Sequence, residues 1–328
     1  MTNIKKIAVL TSGGDAPGMN AAIRSVVRTC VYHNIEVLGV YRGYQGMIEN
    51  DFTPLDARSV RNLINRGGTF LKSARSKDFR TPEGRKKAYE NLVAAGADAL
   101  VVIGGDGTFT GALSFSQEFG FPVMGIPGTI DNDIYGTTYT LGYDTALNTV
   151  VEAIDKIRDT ASSHNRMFFI EVMGRDAGFL ALNSGIGGGA EKILIPEQHS
   201  TLEELVSEIE INHNKGKMSN IIVVAEGDTT GKNVFELKKY VEKQNPDYDI
   251  RVTVLGHIQR GGAPTCFDRV LASRMGVKAV ESLLEGKSNY MVGINNDKID
   301  LTPLEKAIKG GESKLDPDLI RIAEIMSI

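Results

Sequence analysis

Short apolar runs alternate with helical patterns along almost the whole chain. The runs that predict β-strands are residues 7–10, 37–40, 99–103, 123–126, 168–172, 193–195, 221–225 and 252–255. Many of them are apolar at consecutive positions, as expected for strands that helices cover on both faces. This alternation predicts an α/β fold with layers of helices around mostly parallel sheets.

Three helix starts can be predicted from capping signals. Thr81 precedes Pro82 and Glu83, which places a hydroxyl at the N-cap and proline in the first turn. Ser200 and Glu203 have the spacing of a capping box, and Asp316-Pro317 begins the last helix. No Pro/Ser-rich linker divides the chain, so we expect its domains to be joined by several crossings of the chain.

Length and charge narrow the class of protein. At roughly 100–200 residues per domain, 328 residues indicate two globular domains. The 41% apolar content and the net charge of −4 exclude a disordered chain. A general nucleic-acid binder would carry a basic surplus, which this chain lacks. An anion would therefore have to be bound at a local site.

Cys30 and Cys266 are the only cysteines, too few for a disulfide framework or a thiolate metal site. The apolar run at 7–10 is shorter than that of a signal peptide, and no segment approaches the roughly 20 apolar residues of a membrane span. We expect a reduced, soluble, cytoplasmic protein that binds neither nucleic acid nor membrane.

Three glycine-containing turns follow predicted strands, at residues 12–20, 104–108 and 127–133. In α/β sheets such turns let the backbone approach phosphate closely, with helix N–H groups aimed at it. Asp106 would repel a phosphate unless a cation lay between them, which favours Mg²⁺. Asp131 and Asp133 could serve a substrate and a metal. The alternatives are tight connections without a ligand and an acidic surface turn.

Two common nucleotide motifs do not fit. Gly105 to Gly111 is one residue longer than a dinucleotide fingerprint, and no acid ends a second strand at the expected distance. Gly286-Lys287-Ser288 has Glu281 where a Walker loop needs glycine. A set of basic residues could complete an anion site, although each could equally be a solvated side chain, and His257 a core histidine. The arginines are Arg75, Arg166, Arg175, Arg251 and Arg260.

Together, these motifs closely resemble the bacterial ATP-dependent 6-phosphofructokinases. The resemblance runs from residue 6 to about 293 and rests on residues 12–20, 64–69, 104–107, 127–133, 173–175 and 256–262. It implies two Rossmann-like three-layer α/β/α domains with mostly parallel sheets, interleaved in the chain, with the active site in the cleft. Residues 1–141 plus 258–307 would bind ATP. Residues 142–257 plus 308–328 would bind the sugar phosphate.

The resemblance also implies the reaction, a step of glycolysis in which the γ-phosphoryl group of ATP passes to the 1-hydroxyl of fructose 6-phosphate. Asp131, Thr129 and Arg175 would be catalytic, and Asp106 would hold Mg²⁺ with Asp133 assisting through water. The implied ATP residues are Gly14, Arg75, Ser76, Gly105, Asp106, Gly107 and Thr108. The implied sugar-phosphate residues are Thr129, Ile130, Asp131, Met173, Gly174, Arg175, Glu226, His257, Ile258, Gln259 and Arg260. Arg166 and Arg251 would reach in from a neighbouring subunit of a homotetramer.

Two glycines bear on the phosphoryl donor. Pyrophosphate-using relatives resemble this chain but carry an acid in place of Gly107 and a lysine in place of Gly128, so the glycines favour ATP. The alternatives are pyrophosphate as donor, tagatose 6-phosphate or sedoheptulose 7-phosphate as acceptor, and a non-catalytic sugar-phosphate sensor. The missing fingerprint disfavours a nicotinamide dehydrogenase.

The same family has an effector site between subunits for ADP or phosphoenolpyruvate. The matching residues are Arg24, Arg28, Arg158, Glu191, Lys215 and Lys217, although Arg24 and Arg28 could also be solvated charges on one helix face. The chain departs from the family pattern at Ala57, Asn62 and Ser219. These departures predict a weaker or altered effector response.

Overall fold

The computed structural model describes residues 4–164, 166–214, 220–228, 230, 232–311 and 314–327. The chain divides into two compact units, each built from separate segments. The first unit comprises Met1–Ile130, Ile134–Thr145 and Arg260–Ser313, and the second Asp131–Asp133, Ala146–Gln259 and Lys314–Ile328. The predicted α/β class is confirmed, with its interleaved segments. The assignment of ATP to one unit and the sugar phosphate to the other stays a prediction.

Strands and helices alternate in chain order. The strands are β1 (Lys6–Thr11), β2 (Glu36–Val40), β3 (Phe52–Leu55), β4 (Ala99–Gly104), β5 (Val123–Pro127), β6 (Met167–Val172), β7 (Lys192–Leu194), β8 (Asn220–Ala225), β9 (Ile250–Val254), β10 (Tyr290–Asn295) and β11 (Lys298–Pro303). The helices are α1 (Met19–Tyr32), α2 (Gly43–Glu49), α3 (Pro82–Ala94), α4 (Asp106–Phe119), α5 (Tyr143–His164), α6 (Phe179–Gly187), α7 (Leu202–Asn214), α8 (Val234–Gln244), α9 (Cys266–Leu284), α10 (Leu304–Lys309) and α11 (Pro317–Met326). None of the helices in the described part of the chain combines the length and apolar character needed to cross a bilayer.

The first unit contains a sheet with the order β11-β10-β5-β4-β1-β2-β3. Its two edge strands, β3 and β11, run antiparallel to their neighbours, and the strands between them are parallel. Successive side chains of a strand face opposite sides. Leu10 and Val102 therefore share one face, where they pack with Phe109 and Phe115 of α4. Helices α1 and α9 contact the strands as well as each other.

The second unit contains a parallel sheet with the order β7-β8-β6-β9. Phe169 and Val224 lie on a face that packs with Leu205 of α7 and Leu237 of α8. Helix α6 contacts β7 and β8 and also packs with the C-terminal helix α11. Every residue of β8 is buried, which explains why its sequence is almost continuously apolar.

Eight strands lie where the apolar runs predict them, with ends that differ by a few residues. The pattern missed β3, β10 and β11. Strand β3 contains Pro54 and pairs along only one edge, and β11 has exposed polar positions, so neither has the apolar run of a central strand. Strand β10 carries Gly293, and glycine is unfavourable in strand propensity.

The helix starts at Thr81 and Asp316 are confirmed, because each side chain accepts a first-turn N–H. The capping box predicted at Ser200 is wrong by one residue. Thr201 donates its N–H to Glu204, and the Glu204 N–H donates to the Thr201 hydroxyl. Both pairs have the required spacing, but Ser200 is buried at 8% exposure, whereas Thr201 and Glu204 meet at the surface.

Candidate functional site

The three glycine-containing turns begin side by side, because the strands that they follow, β1, β4 and β5, are neighbouring parallel strands. The Ser12 N–H donates to the Ile103 carbonyl at 3.0 Å, and the Gly128 N–H donates to the Gly104 carbonyl at 3.0 Å. A Cβ on Gly104 would lie 2.4 Å from the Ser12 carbonyl oxygen, so this position requires glycine. The turns thus form one continuous strip of backbone, the glycine strip, at the carboxyl edge of the sheet, where α/β proteins bind ligands.

Helix α4 begins within this strip, with Gly105 at its N-cap and Asp106 and Gly107 exposed in its first turn. The free N–H groups of a helix start attract phosphate oxygens. The Tyr44 phenol donates to the Thr108 carbonyl, and its ring stacks on Phe79 with centroids 4.0 Å apart. Burial raises the pKa of Tyr44, so the phenol stays a donor. Sequence reasoning did not identify Tyr44, which has no motif around it.

Arg75 and Ser76 lie in an irregular segment that passes beside the first glycine turn. The Ser73 hydroxyl donates to the Gly13 carbonyl at 2.9 Å, which brings the segment to that turn. Arg75 is exposed. The Ser76 hydroxyl donates to Gln45 at 2.7 Å and accepts the Phe79 N–H at 3.1 Å. Ser76, which we predicted as an ATP residue, thus also serves the local fold.

Arg260 belongs to the first unit and lies against the same turn. Its Nη1 donates to the Asp15 carbonyl at 3.3 Å, and a Cβ on Gly14 would lie 2.7 Å from that nitrogen. The structure therefore places Arg260, predicted for the sugar phosphate, beside Gly14, predicted for ATP.

The acidic turn after β5 holds the predicted catalytic carboxylate. Asp131 is buried at 1% exposure, and its Oδ2 lies 3.5 Å from Nε of Arg175, whose side chain is 62% exposed. Asn132 has a φ of 55°, a left-handed conformation that asparagine tolerates better than most residues. Thr129 is buried, Ile130 is fully buried, and Asp133 is partly exposed. The contact of Ile130 with the sugar phosphate stays a prediction.

In the second unit, the turns after β8, β6 and β9 are neighbours for the same topological reason. Oε1 of Glu226 accepts the N–H of Arg175 at 2.7 Å and that of Gly174 at 3.2 Å. A Cβ on Gly227 would lie 2.0 Å from the Arg175 carbonyl oxygen. Glu226, predicted to contact the sugar, thus shapes the backbone turn that carries Arg175.

Gln259 has a similar supporting position. It is fully buried, its Oε1 accepts the Met173 N–H at 3.2 Å, and its Nε2 donates to the Gly256 carbonyl at 3.0 Å. Both ends of the amide are therefore engaged with backbone, whereas the neighbouring His257 and Ile258 are exposed. Gln259 joins the turn after β9 to the turn after β6, and its contact with the sugar phosphate stays a prediction.

Arg166 and Arg251 lie together, but at the opposite edge of this sheet. Asp249 Oδ2 is 2.7 Å from Nε of Arg166, and Asp249 Oδ1 is 3.0 Å from Nη2 of Arg251. The hydrogen bond from Arg166, followed by the charge of Arg251, holds the pKa of Asp249 below its ordinary value. The three residues lie at the amino ends of β6 and β9, whereas Arg175 follows the carboxyl end of β6, about 20 Å away at 3.3 Å per residue. Sequence reasoning missed Asp249.

The predicted effector residues fall into two groups. Arg24 and Arg28 lie one turn apart on α1 and line a cavity of about 350 Å³ with Ser273 and Glu281 of α9. Burial, and then the charge of Arg28, lower the pKa of Arg24. In the second unit, Arg158 lies 3.3 Å from Glu191, which also accepts the Ile221 N–H at 2.7 Å. Lys215 and Lys217, with Ser219, lie outside the described residues.

A magnesium ion bound at this site would have to take some of its ligands from a substrate phosphate. The described residues contain no group of three or more His, Cys, Asp or Glu side chains that could hold a metal ion. Protein-bound Mg²⁺ commonly takes one or two carboxylates and completes its shell with water and substrate phosphates. Asp106 fits that requirement, because it is an exposed carboxylate in the first turn of α4, beside the glycine strip.

The chain is similar to known proteins in both sequence and structure. A family model described as Phosphofructokinase matches residues 6–283. ATP-dependent 6-phosphofructokinase 2 of Bacteroides thetaiotaomicron is 52% identical over 328 residues, covering 100% of both chains. ATP-dependent 6-phosphofructokinase 1 of Thermus thermophilus is 53% identical over 325 residues, covering 99% of this chain and all of its own. The solved phosphofructokinase of Saccharomyces cerevisiae is 37% identical with a TM-score of 0.89, covering 99% of this chain and 48% of the yeast chain.

Proposed function

Because this chain belongs to the phosphofructokinase family, we propose that Asp131 and the glycine strip are the centre of its reaction. In that reaction the γ-phosphoryl group of ATP passes to the 1-hydroxyl of fructose 6-phosphate, giving fructose 1,6-bisphosphate and ADP. The observation that carries the assignment is that three glycine-containing turns meet at one sheet edge and that the third of them contains a buried carboxylate.

The residues that bind the phosphoryl donor, ATP, lie in the first unit. The N–H groups at the start of α4 and the backbone around Gly14 hold the phosphate groups of ATP, and Arg75 adds a positive charge. Gly107 has open space around the position of a Cβ, so none of the described residues fills the room that a nucleotide phosphate needs there. This space favours ATP over pyrophosphate as the donor.

Asp131 receives the proton of the attacking hydroxyl and orients its oxygen. The transition state of such transfers is loose, so little proton removal is needed before the bond to the leaving group is largely broken. A carboxylate, although a weak base for an alcohol, is then sufficient. Arg175 neutralises the charge that develops on the transferred group, and Thr129 helps to hold the acceptor. Glu226 and Gln259 fix the turn that presents Arg175 to the sugar phosphate.

Asp106 is the residue that would hold Mg²⁺, with Asp133 assisting through water. Bound there, the ion would neutralise the charge of the β- and γ-phosphates. The chain itself supplies the carboxylate that keeps the ion at the start of α4.

Arg166 and Arg251 bind the 6-phosphate of a sugar held by a neighbouring copy of the chain in a homotetramer. Their place at the amino edge of the second sheet supports this proposal, since His257 and Arg175 lie at its carboxyl edge. Asp249 holds the two guanidinium groups side by side, in the arrangement that suits a phosphate. The effector residues Arg24, Arg28 and Arg158 would bind the anionic groups of ADP or phosphoenolpyruvate by the same charge complementarity, and Glu191 would hold Arg158 in place.

The test is steady-state phosphorylation of fructose 6-phosphate with ATP and with pyrophosphate, each with and without ADP or phosphoenolpyruvate. We expect turnover with ATP and little with pyrophosphate. Tagatose 6-phosphate and sedoheptulose 7-phosphate serve as control acceptors, and we expect a lower kcat/KM with both. Absence of ATP-dependent turnover of fructose 6-phosphate would refute the assignment.

A further inference from the structure

The irregular segment 56–77 connects β3 to the residues before α3 and carries Arg75 and Ser76. Irregular backbone has no neighbouring strand to pair with, so its polar groups need other partners. Two motifs that the proposed reaction does not use, Asn20 at the end of the first glycine turn and the 64–69 run, meet in this segment. The Asn20 side chain supplies the hydrogen-bond partners that the backbone of residues 66–70 needs.

Asn20 is buried at 3% exposure and uses its whole amide on this segment. Its Nδ2 donates to the carbonyls of Arg66 at 3.1 Å and Gly67 at 3.0 Å, and its Oδ1 accepts the Phe70 N–H at 2.6 Å. An amide offers two donor hydrogens and one acceptor oxygen, so the three contacts match its bonding capacity closely. No other residue type provides the same set at this length.

Thr11 holds the next part of the segment. It is fully buried at the end of β1, and its hydroxyl donates to the Lys72 carbonyl at 2.9 Å. Because its one proton is used there, Thr11 accepts the hydroxyl of Thr69, whose oxygen lies 2.8 Å away. Two side chains next to the first glycine turn thus hold residues 66–72 along their length. The Ser73 contact to Gly13 continues the same seam.

We propose that Asn20 and Thr11 are positioning residues for the phosphoryl donor. They hold residues 66–73 beside the first glycine turn, so that Arg75 reaches the nucleotide phosphates from a fixed place. This inference rests on the proposed function, since it takes Arg75 to be a nucleotide contact. Neither Asn20 nor Thr11 touches the nucleotide itself.

The segment also meets the turn that follows Arg260. A Cβ on Gly67 would lie 2.2 Å from the Gly262 carbonyl oxygen, so the two backbones are in direct contact. Displacement of residues 66–70 would therefore also reach the turn that follows Arg260. The segment carries Arg75 directly, whereas Arg260 is reached only through Gly262. We accordingly expect the ATP site to change most and the sugar-phosphate site to change less.

The test compares three variants with a matched control. Asn20→Ala removes all three contacts, Asn20→Asp keeps the acceptor but loses both donors, and Thr11→Val removes the hydroxyl with little change of shape. Ser116→Ala is the control, because Ser116 is buried at 5% exposure and its hydroxyl donates to Asn289 Oδ1 at 2.6 Å, a hydrogen bond that does not involve residues 66–73. For each Asn20 variant we expect the KM for ATP to rise about tenfold and the KM for fructose 6-phosphate to change less than about threefold. For Thr11→Val we expect about a fivefold rise in the KM for ATP.

Ser116→Ala should leave both KM values within about twofold of the parent chain, because it lowers stability without moving the segment. The proposal is overturned if the ATP KM of the variants stays within about threefold, if both KM values rise equally, or if Ser116→Ala matches them. Should Asn20→Ala fail to fold, Asn20→Asp and Thr11→Val decide the matter. Calorimetric titration with ATP, without the sugar, measures the same effect as a loss of affinity. It would still do so if the parent chain did not phosphorylate fructose 6-phosphate, so the two failures can be told apart.

Discussion

Asp131 combines burial with a nearby cation, the guanidinium of Arg175. Only 2% of its side chain is exposed, and Arg175, 3.5 Å away, is itself 62% exposed. Burying a carboxylate costs free energy of folding unless the group is paired or hydrogen-bonded, so the contacts around Asp131 must offset the cost of its burial. The exposed guanidinium is free to shift between the carboxylate and a charged ligand. This arrangement suits a residue that orients a hydroxyl and receives its proton late.

Replacement of Asp131 tests that role directly. Asp131→Ser should lower kcat by about two to four orders of magnitude while leaving both KM values within a small factor, because the lost interaction belongs to the transition state. Steady-state kinetics with ATP and fructose 6-phosphate measure both quantities. Asp318→Ser is the control, since Asp318 forms a comparable aspartate–arginine pair with Arg321 at the surface. A kcat that stays at the parent value would remove Asp131 from catalysis.

Donor choice can be tested at Gly107. The structure shows nothing within 4 Å of a Cβ added there, so Gly107→Asp should fold and place a charged side chain in the space proposed for ATP. We expect its kcat/KM with ATP to fall much more than its kcat/KM with pyrophosphate. Gly107→Ala, which adds only the Cβ, should retain the use of ATP. Equal losses with the two donors would contradict the donor assignment.

At the scale of elements, α5 and α9 stabilise each other's first turns. Asp268 of α9 accepts the N–H of Gly142 and that of Thr145, each at 2.9 Å, at the start of α5. Thr265 accepts the Asp268 N–H at 3.3 Å and donates to Asp144 at 2.6 Å. An acidic group is favourable at a helix N-terminus. One buried carboxylate thus serves two helix starts.

Burial raises the pKa of Asp268 from 3.8 to about 6. The folded chain therefore binds more protons than the unfolded chain between about pH 4 and pH 6, so this group's contribution to stability falls as pH rises through that window and is level above it. A shift of this size corresponds to about 3 kcal/mol. Asp268→Asn cannot titrate, so the parent chain's advantage in urea midpoint over it should be larger at pH 4.5 than at pH 7.5.

The control for that comparison is Asp155→Asn, an exposed acid on α5, the helix whose first turn Asp268 contacts. Its midpoint should follow that of the parent chain at both pH values. If the difference between the parent chain and Asp268→Asn were the same at pH 4.5 and pH 7.5, burial of the Asp268 charge would not be the source of the pH dependence.

At the scale of the whole molecule, the basic residues of the second sheet lie at two opposite edges of that sheet within one chain. Arg166 and Arg251 lie at the amino edge with Asp249, while the turns with Glu226, Arg175 and His257 follow the carboxyl ends. Parallel strands keep these two sets about six residues apart along β6. A site that uses both sets therefore needs two copies of the chain. This requirement is the physical basis for proposing a shared site.

Mixing two defective chains tests the shared site. Asp131→Ser and Arg251→Ala should each be nearly silent at low fructose 6-phosphate, the second because its KM for the sugar phosphate is raised. Reassembled together, they should recover up to about a quarter of the parent activity, because some sites then combine an intact Asp131 with an intact neighbouring Arg251. A mixture of Arg166→Ala and Arg251→Ala is the control and should recover nothing. Absence of recovery in the first mixture would place Arg251 in its own chain's site.

The sequence by itself determined the α/β class, the positions of eight of the described strands and the glycine-containing turns, because buried parallel strands are apolar throughout and must end in turns. It could not choose between Ser200 and Thr201 as a helix cap, since both have the same spacing and only burial separates them. It also could not show that Glu226 and Gln259 bind backbone, or that Asn20, Tyr44 and Asp249 support the site. Those roles depend on contacts between residues far apart in the chain, and only the tertiary packing decides which polar groups meet.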